Sequence, residues 1–231
     1  MSIKIYLVGG TLRDQLLGLS IGKDLDYAVE APSYEAMRDY ILANGGTIWQ
    51  EREQYLTIRA KMPKLGDADF VLCRRDGFYS DGRRPDNVTV GTIYDDLARR
   101  DFTMNAIAQD VETGEYIDPH NGRTAITVGL IRCVGNSFDR FNEDPLRMLR
   151  AIRFSITKDF QIVNETEVCL YNDKLINKLN TVSVDRVRDE LTKCFKANSY
   201  KTLLALNKFG RLTYTLFKLY PQLWLKPTTE E

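Results

Sequence analysis

Residues 7–30, LVGGTLRDQLLGLSIGKDLDYAVE, hold residue types whose spacing suits phosphoryl chemistry. An apolar strand runs into Gly9-Gly10, and a short helix carrying Arg13 and Asp14 is expected to follow. Gly-Gly ahead of a helix lets backbone N–H groups come close to a phosphate. A second strand then carries Asp24 and Asp26. Side chains two apart on a strand share a face. Two carboxylates so placed can clamp a divalent metal pair, which stabilises both the attacking and the leaving oxygen in phosphoryl transfer. Asp69, in ADFVLCRRD, is a candidate third acid on a neighbouring strand. Converging acids repel one another without cations, and an all-oxygen ligand set favours Mg²⁺. The plainer reading of Asp-Leu-Asp is a turn residue and a solvated acid. Its position behind Gly-Gly-x-x-Arg-Asp argues for the chemical reading, which is nucleotidyl transfer.

Two further clusters fit that chemistry. In RRDFTMNA, Arg99 and Arg100 stand next to Asp101, with Asn105 four residues on. Arginine offers a planar fork of donors to phosphate, and aspartate accepts from a ribose hydroxyl. A surface salt bridge with a helix cap is the competing reading. In EDPLRMLRAIRF, Asp144 and Arg147 are expected as i,i+3 neighbours on one helix, with Arg150 and Arg153 along the same stripe. An intrahelical ion pair on a solvated basic face would explain the same pattern. The sharper reading follows from donor and acceptor types. Aspartate only accepts and arginine only donates. Cytosine and adenine each offer an amino donor beside a ring-nitrogen acceptor, whereas uracil and guanine present the reverse order. An Asp/Arg pair can therefore act as the template, each mismatch costing about 1–3 kcal/mol. Arg150 and Arg153 would then hold a triphosphate.

The elements that must position these groups divide into an α+β part and a helical part. Strands are expected at 3–8, 25–29, 47–49, 55–60 and 68–73, with a helix over Tyr34–Ala43 capped by Ser33 and stopped by Gly45-Gly46. Residues 76–91, DGFYSDGRRPDNVTVG, read as a long mobile loop. A hairpin is expected over 106–117. Beyond position 137 the pattern turns helical, with helices over 165–177, from Ser183 to Phe195, and one or two more over 199–225. The domains are accordingly 1–137 and 138–231. Net charge is +0, so nucleic-acid binding must come from a local patch. No apolar run reaches membrane-spanning length, and the N-terminus has no signal-peptide pattern. Cys73, Cys133, Cys169 and Cys194 are widely spaced without a CxxC, which points to reduced thiols in the cytoplasm rather than zinc or disulfides. His120, the only histidine, is expected at the surface, which argues against histidine catalysis.

In order, LVGGTLRDQLLG…DLD, DLARRDFTMNAIA, DPHNG…IRCVG, RFNEDPLRMLRAIRF and SVDRVRDEL resemble the motifs of class II tRNA nucleotidyltransferases, the CCA-adding enzymes, whose family includes bacterial poly(A) polymerases. The resemblance covers residues 5–195. It implies a polymerase-β-type head with a mixed or antiparallel sheet and flanking helices, followed by a helical neck. It also implies Mg²⁺ on Asp24 and Asp26, nucleotide contacts at Gly9, Gly10 and Arg13, and ribose selection by Arg100 and Asp101. Base reading by Asp144 and Arg147 is implied too, with Arg150 and Arg153 on the nucleotide. The reaction would be attack of an RNA 3′-hydroxyl on the α-phosphate of CTP or ATP. Departures are Leu12 for a usual valine, Ala125-Ile126 for an Asp-Leu pair, and Asp76 where a glutamate is frequent. The family continues through body and tail domains, so either a minimal form lacking them or a truncated or fragmentary chain is expected.

The loop at 76–91 lies where complete CCA enzymes carry the flexible loop used to switch to A. That favours full CCA addition over partial addition, poly(A) addition or an inactive RNA-binding module. Lys174, Lys178, Lys193, Lys196 and Lys201 make the C-terminal third locally basic, which suits tRNA phosphates or an ordinary solvated face. Leu203, Leu204, Leu212 and Leu216 close the neck core or form a homodimer contact.

Overall fold

The computed structural model describes residues 3–20, 22, 25–77 and 87–223, and these form two compact units that divide between Thr127 and Val128. The first contains, in order, β1 (Lys4–Val8), α1 (Gly9–Leu16), β2 (Leu25–Glu30), α2 (Tyr34–Ala43), β3 (Thr47–Arg52), β4 (Thr57–Met62) and β5 (Gly66–Leu72). Then come β6 (Arg74–Asp76), β7 (Val88–Val90), α3 (Ile93–Ala98), β8 (Ala108–Asp110), β9 (Tyr116–Ile117) and α4 (Gly122–Val128). Among the described residues, seven strands form one mixed sheet in the order β3-β4-β5-β2-β1-β8-β9, in which β2 and β5 run parallel.

Alternation decides which face of this sheet is buried. Tyr27 and Val29 of β2, Ile58, Ala60 and Met62 of β4, and Ala68, Phe70 and Leu72 of β5 form one core with Tyr34, Met37 and Ile41 of α2. Tyr27 and Phe70 are register partners and stack with ring centroids 5.3 Å apart. Burying each large side chain of this kind contributes about 1.5–3 kcal/mol. Ser33 caps α2 by accepting from the Ala36 N–H at 3.2 Å, as its sequence predicts. The expected loop at 76–91 begins and ends as paired strand, since β6 and β7 form an antiparallel ladder. Its residues 78–86 lie outside the described residues.

The second unit contains β10 (Leu130–Ile131), α5 (Ser137–Glu143), α6 (Leu146–Thr157), β11 (Gln161–Ile162), α7 (Asn164–Glu167), α8 (Asp173–Asn177), α9 (Val184–Ala197), α10 (Ser199–Lys208) and α11 (Gly210–Leu219). The division falls ahead of the expected position 137. The reason is pairing: β10 and β11 run parallel, and Gln161 N–H donates to the Gly129 carbonyl at 2.8 Å. The expected helix over 165–177 is broken. Asn172 leaves the helical region (φ −78, ψ 113), and its side chain accepts from the Lys174 and Leu175 N–H groups, starting α8 anew. Leu149 and Ile152 of α6 and Val187 and Leu191 of α9 are fully buried in this unit's helical core.

Candidate active site

The strand-to-helix turn at Gly9 brings the first group of residues together. Val8 is extended, Gly9 takes φ +74, and α1 starts there with its first N–H groups unclaimed by a side-chain cap. A Cβ added to Gly9 would sit 3.3 Å from Arg100 Nη1 and 3.7 Å from Asp26 Oδ2. The positive φ favours glycine here, and any added side chain would crowd the Arg100 guanidinium. Asp26 is exposed, and its Cα partner on the parallel neighbour strand is Asp69. Asp69 is half-buried, with Arg59 Nε 3.8 Å from its Oδ1. Asp24 lies outside the described residues. No cluster of three metal-ligating side chains forms among the described residues. The two carboxylates that are described are register partners, and both offer oxygen, the donor that hard cations take.

RRDFTMNA folds as a buried network rather than a surface salt bridge. Arg13 Nη1 donates to Asn105 Oδ1 at 2.7 Å, and Asn105 Nδ2 donates to Asp101 Oδ1 at 3.0 Å. Arg13, Asp101 and Asn105 are all buried. This chain of polar contacts ties α1 to the turn after α3. Gly122 allows that turn to pass close by, since a Cβ there would lie 2.1 Å from the Thr103 carbonyl oxygen. The sequence reading missed Asp96, which is only 1 % exposed. Asp96 Oδ2 accepts from Arg100 Nε at 3.1 Å and Nη2 at 2.8 Å, and Oδ1 accepts from Arg99. Burial alone would push the Asp96 carboxyl up. The Arg100 and Arg99 guanidiniums outweigh that and hold it below the usual carboxylate range. Spacing carried the signal: Asp96 stands three and four residues before Arg99 and Arg100, across one helical turn. His120 is half-buried rather than at the surface.

In the second unit the expected Asp144/Arg147 helix pair does not form. Asp144 lies between α5 and α6 in extended conformation (φ −139, ψ 101). Its Oδ1 accepts from the Leu146 N–H at 3.1 Å, and its Oδ2 accepts from Arg186 Nη2 at 2.9 Å. Pro145, at the mouth of α6, prevents a continuous helix. Arg147 instead donates from Nη1 to Glu143 Oε2 at 2.8 Å and to the Arg140 carbonyl at 3.1 Å. Both side chains are thereby held, each by a different partner. Arg153 pairs with the buried Glu190 of α9 and packs over the Phe154 ring at 4.0 Å, while Arg150 lies 3.8 Å from the same glutamate. These ion pairs restrain both arginines of the expected stripe.

The basic C-terminal third is partly neutralised. Lys201 pairs with Asp159, Lys208 with Glu167 and Arg211 with Asp173. Lys178 donates to the Asn142 carbonyl at 2.9 Å, and Lys174 sits 5.5 Å from the Phe138 ring centre. Lys193 and Lys196 are exposed on α9.

Residues 5–132 match the family model described as the poly A polymerase head domain. A CCA-adding enzyme of Listeria innocua is 38% identical over 209 residues, covering 87% of this chain and 49% of that protein. The CCA-adding enzyme of Geobacillus stearothermophilus is 39% identical over 194 residues, covering 81% of this chain and 44% of that protein. Among solved structures, the Bacillus stearothermophilus CCA-adding enzyme in complex with CTP superposes with TM-score 0.79 at 33% identity, covering 96% of this chain and 52% of that one. The Thermotoga maritima CCA-adding enzyme complexed with tRNA_CCA gives TM-score 0.74 at 28% identity, over 97% and 50%. The chain spans about half the length of the curated relatives it matches.

Proposed function

The chain belongs to the poly A polymerase head-domain family, within the class II tRNA nucleotidyltransferases, and from that membership and the site geometry we infer that it adds C, C and A to tRNA 3′ ends without a nucleic-acid template, using CTP and ATP. The observation that carries this reading is the convergence of Asp26, Gly9 and Arg100 at one turn, with Asp69 in register beside Asp26. The first unit acts as the head and the second, from Val128 on, as the neck.

Gly9 and Gly10 present the N–H groups of α1 to the nucleotide's phosphates, aided by the helix N-terminus. Arg13 acts there through the network that joins it to Asn105 and Asp101. Arg100 and Asp101 read the ribose. Asp24 and Asp26 would hold Mg²⁺, with carboxylates as its ligands. When bound, the ion supplies charge stabilisation to the attacking and leaving oxygens. Asp69 accepts the proton as the RNA 3′-oxygen attacks the α-phosphorus. A new phosphodiester bond forms, the bond to the β-phosphate oxygen breaks, and pyrophosphate leaves. Asp144, held by Arg186, accepts from the base's amino group, and Arg147 donates to its ring nitrogen. Arg150 and Arg153 contribute positive charge, and Lys174, Lys178, Lys193, Lys196 and Lys201 meet tRNA phosphates. The four free, buried cysteines suit a reducing, cytoplasmic setting, and among the described residues no helix is long and apolar enough to cross a membrane.

The test is nucleotide incorporation on tRNA transcripts ending at the discriminator, after C and after CC, with CTP, ATP or both and Mg²⁺. Growth that stops at CCA is the expected result. An open-ended A ladder would assign poly(A) addition, and no product on any primer would make the chain a binding module.

A further inference from the structure

One row of side chains crosses four strands of the first unit's sheet. Asp26 on β2 is the partner of Asp69 on β5, Asp69 of Arg59 on β4, and Arg59 of Gln50 on β3. Directly paired residues present their side chains to the same face. That face is opposite the one buried against α2.

Chemistry changes along the row. At one end, Gly9 and Arg100 adjoin Asp26. At the other, Gln50, Arg52, Thr57 and Arg59 line a recess of about 50 Å³ together with Asp69. The β3–β4 ladder shifts register between Ile48 and Gln50. A shift of this kind inserts one extra residue into a strand, and here that residue is Trp49, next to Gln50 in the chain. Trp49 is 54 % exposed, unusual for an indole on a sheet.

We propose that Arg52, Arg59 and Trp49 bind the single-stranded 3′ end of the RNA acceptor, the two guanidiniums on its terminal phosphodiesters and the indole stacked on a base. The proposal rests on the reading of Asp26 and Asp69 as acids of the transfer site. The incoming nucleotide's phosphates belong at the Gly9–Gly10 end, where the N–H donors lie. In-line displacement puts the attacking oxygen opposite the leaving pyrophosphate. The RNA must therefore approach from the far side of the carboxylates, toward β4 and β3. Neighbouring strands are about 4.8 Å apart, so Arg59 is one strand and Gln50 two strands beyond Asp69, within a single nucleotide's reach. Arg59 also lies 3.8 Å from Asp69, and a guanidinium can bridge a carboxylate and a phosphate. Aromatic stacking with an adjacent cation grips single strands of any sequence.

The experiment measures binding of a short labelled single-stranded RNA ending in CC to the full chain, by fluorescence anisotropy across a salt series. CTP binding is measured in parallel, and thermal melting checks the fold. Arg59→Ala and Trp49→Ala should each raise the RNA Kd about 5–50-fold. They should leave the CTP Kd unchanged. Arg59→Ala and Arg52→Ala should each flatten the logarithmic salt slope by about 0.7, as expected for one lost phosphate contact on a single strand. Arg59→Lys should keep that slope. RNA affinity unchanged in all three alanine variants, or CTP affinity lost in equal measure, would overturn the proposal. Asp26→Asn separates it from the reading beneath it. Full incorporation by Asp26→Asn sinks the transfer-site assignment. An inactive Asp26→Asn alongside an Arg59→Ala of normal RNA affinity sinks only the RNA site.

Discussion

Asp96 holds Arg100 through a single carboxylate oxygen, accepting from Nε at 3.1 Å and from Nη2 at 2.8 Å. The same carboxylate takes Arg99 on its other oxygen. One buried acid therefore orients two arginines, and Arg100 Nη1 is left close to where a Gly9 Cβ would be. Removing one member of a buried ion pair costs about 3–5 kcal/mol, because it strands the partner's charge. Asp96→Ala should lower the melting temperature clearly in calorimetry. Asp96→Asn, which keeps shape and some hydrogen bonding, should lose less.

The same pair predicts a pH dependence. Asp96 is held below its ordinary value in the folded chain, with the arginines outweighing burial. The folded state thus binds this proton less tightly than the unfolded state. Its stabilisation is present above the unfolded carboxylate value of about 3.9 and is lost as pH falls through the folded value. Denaturant midpoints measured downward from pH 6 should fall more steeply in the wild type than in Asp96→Asn.

Gly9→Ala tests the turn. An L side chain at φ +74 costs about 1–2 kcal/mol, and the new methyl would lie 3.3 Å from Arg100 Nη1. A modest loss of stability with a larger loss of CTP affinity is expected. Isothermal titration beside a melting curve would show whether the second effect exceeds the first.

Asp26→Asn removes an exposed carboxylate, so the fold should be unaffected. Nucleotide incorporation should fall on the order of 10²–10³-fold or more, the scale of losing one group that stabilises the transition state. Unaltered incorporation rates with Mg²⁺ would refute the metal assignment.

Arg186→Ala leaves Asp144 without its partner at 2.9 Å. Asp144→Ala removes the proposed acceptor altogether. Both should weaken discrimination of CTP over UTP by about 10-fold or more, the worth of one buried polar mismatch. The check is single-turnover incorporation of each nucleotide. Discrimination that survives Asp144→Ala intact would remove the side-chain template from the mechanism.

Local patterns were legible wherever neighbours along the chain decide the outcome. The alternation in β4 and β5 follows from residue type along each strand, and Ser33 marked the start of α2. The α+β class, the helical second part and the family followed from such segments. Asn172 broke an expected helix because a short side chain captured N–H groups two and three residues on, a competition that periodicity does not register. Asp144 left the helix for a similar reason, with Pro145 behind it and a partner in α9.

The sequence by itself determined which residue types were available for phosphoryl chemistry and in what order, because strand alternation and the Gly-Gly turn are local. Only the tertiary structure decided who holds whom. Asp26 meets Asp69 through strand register, Asp96 holds Arg100 in a buried pocket, and Asp144 turns to Arg186 rather than Arg147. Those pairings join residues through burial and strand order, and burial is what makes a charge seek the particular partner that can neutralise it.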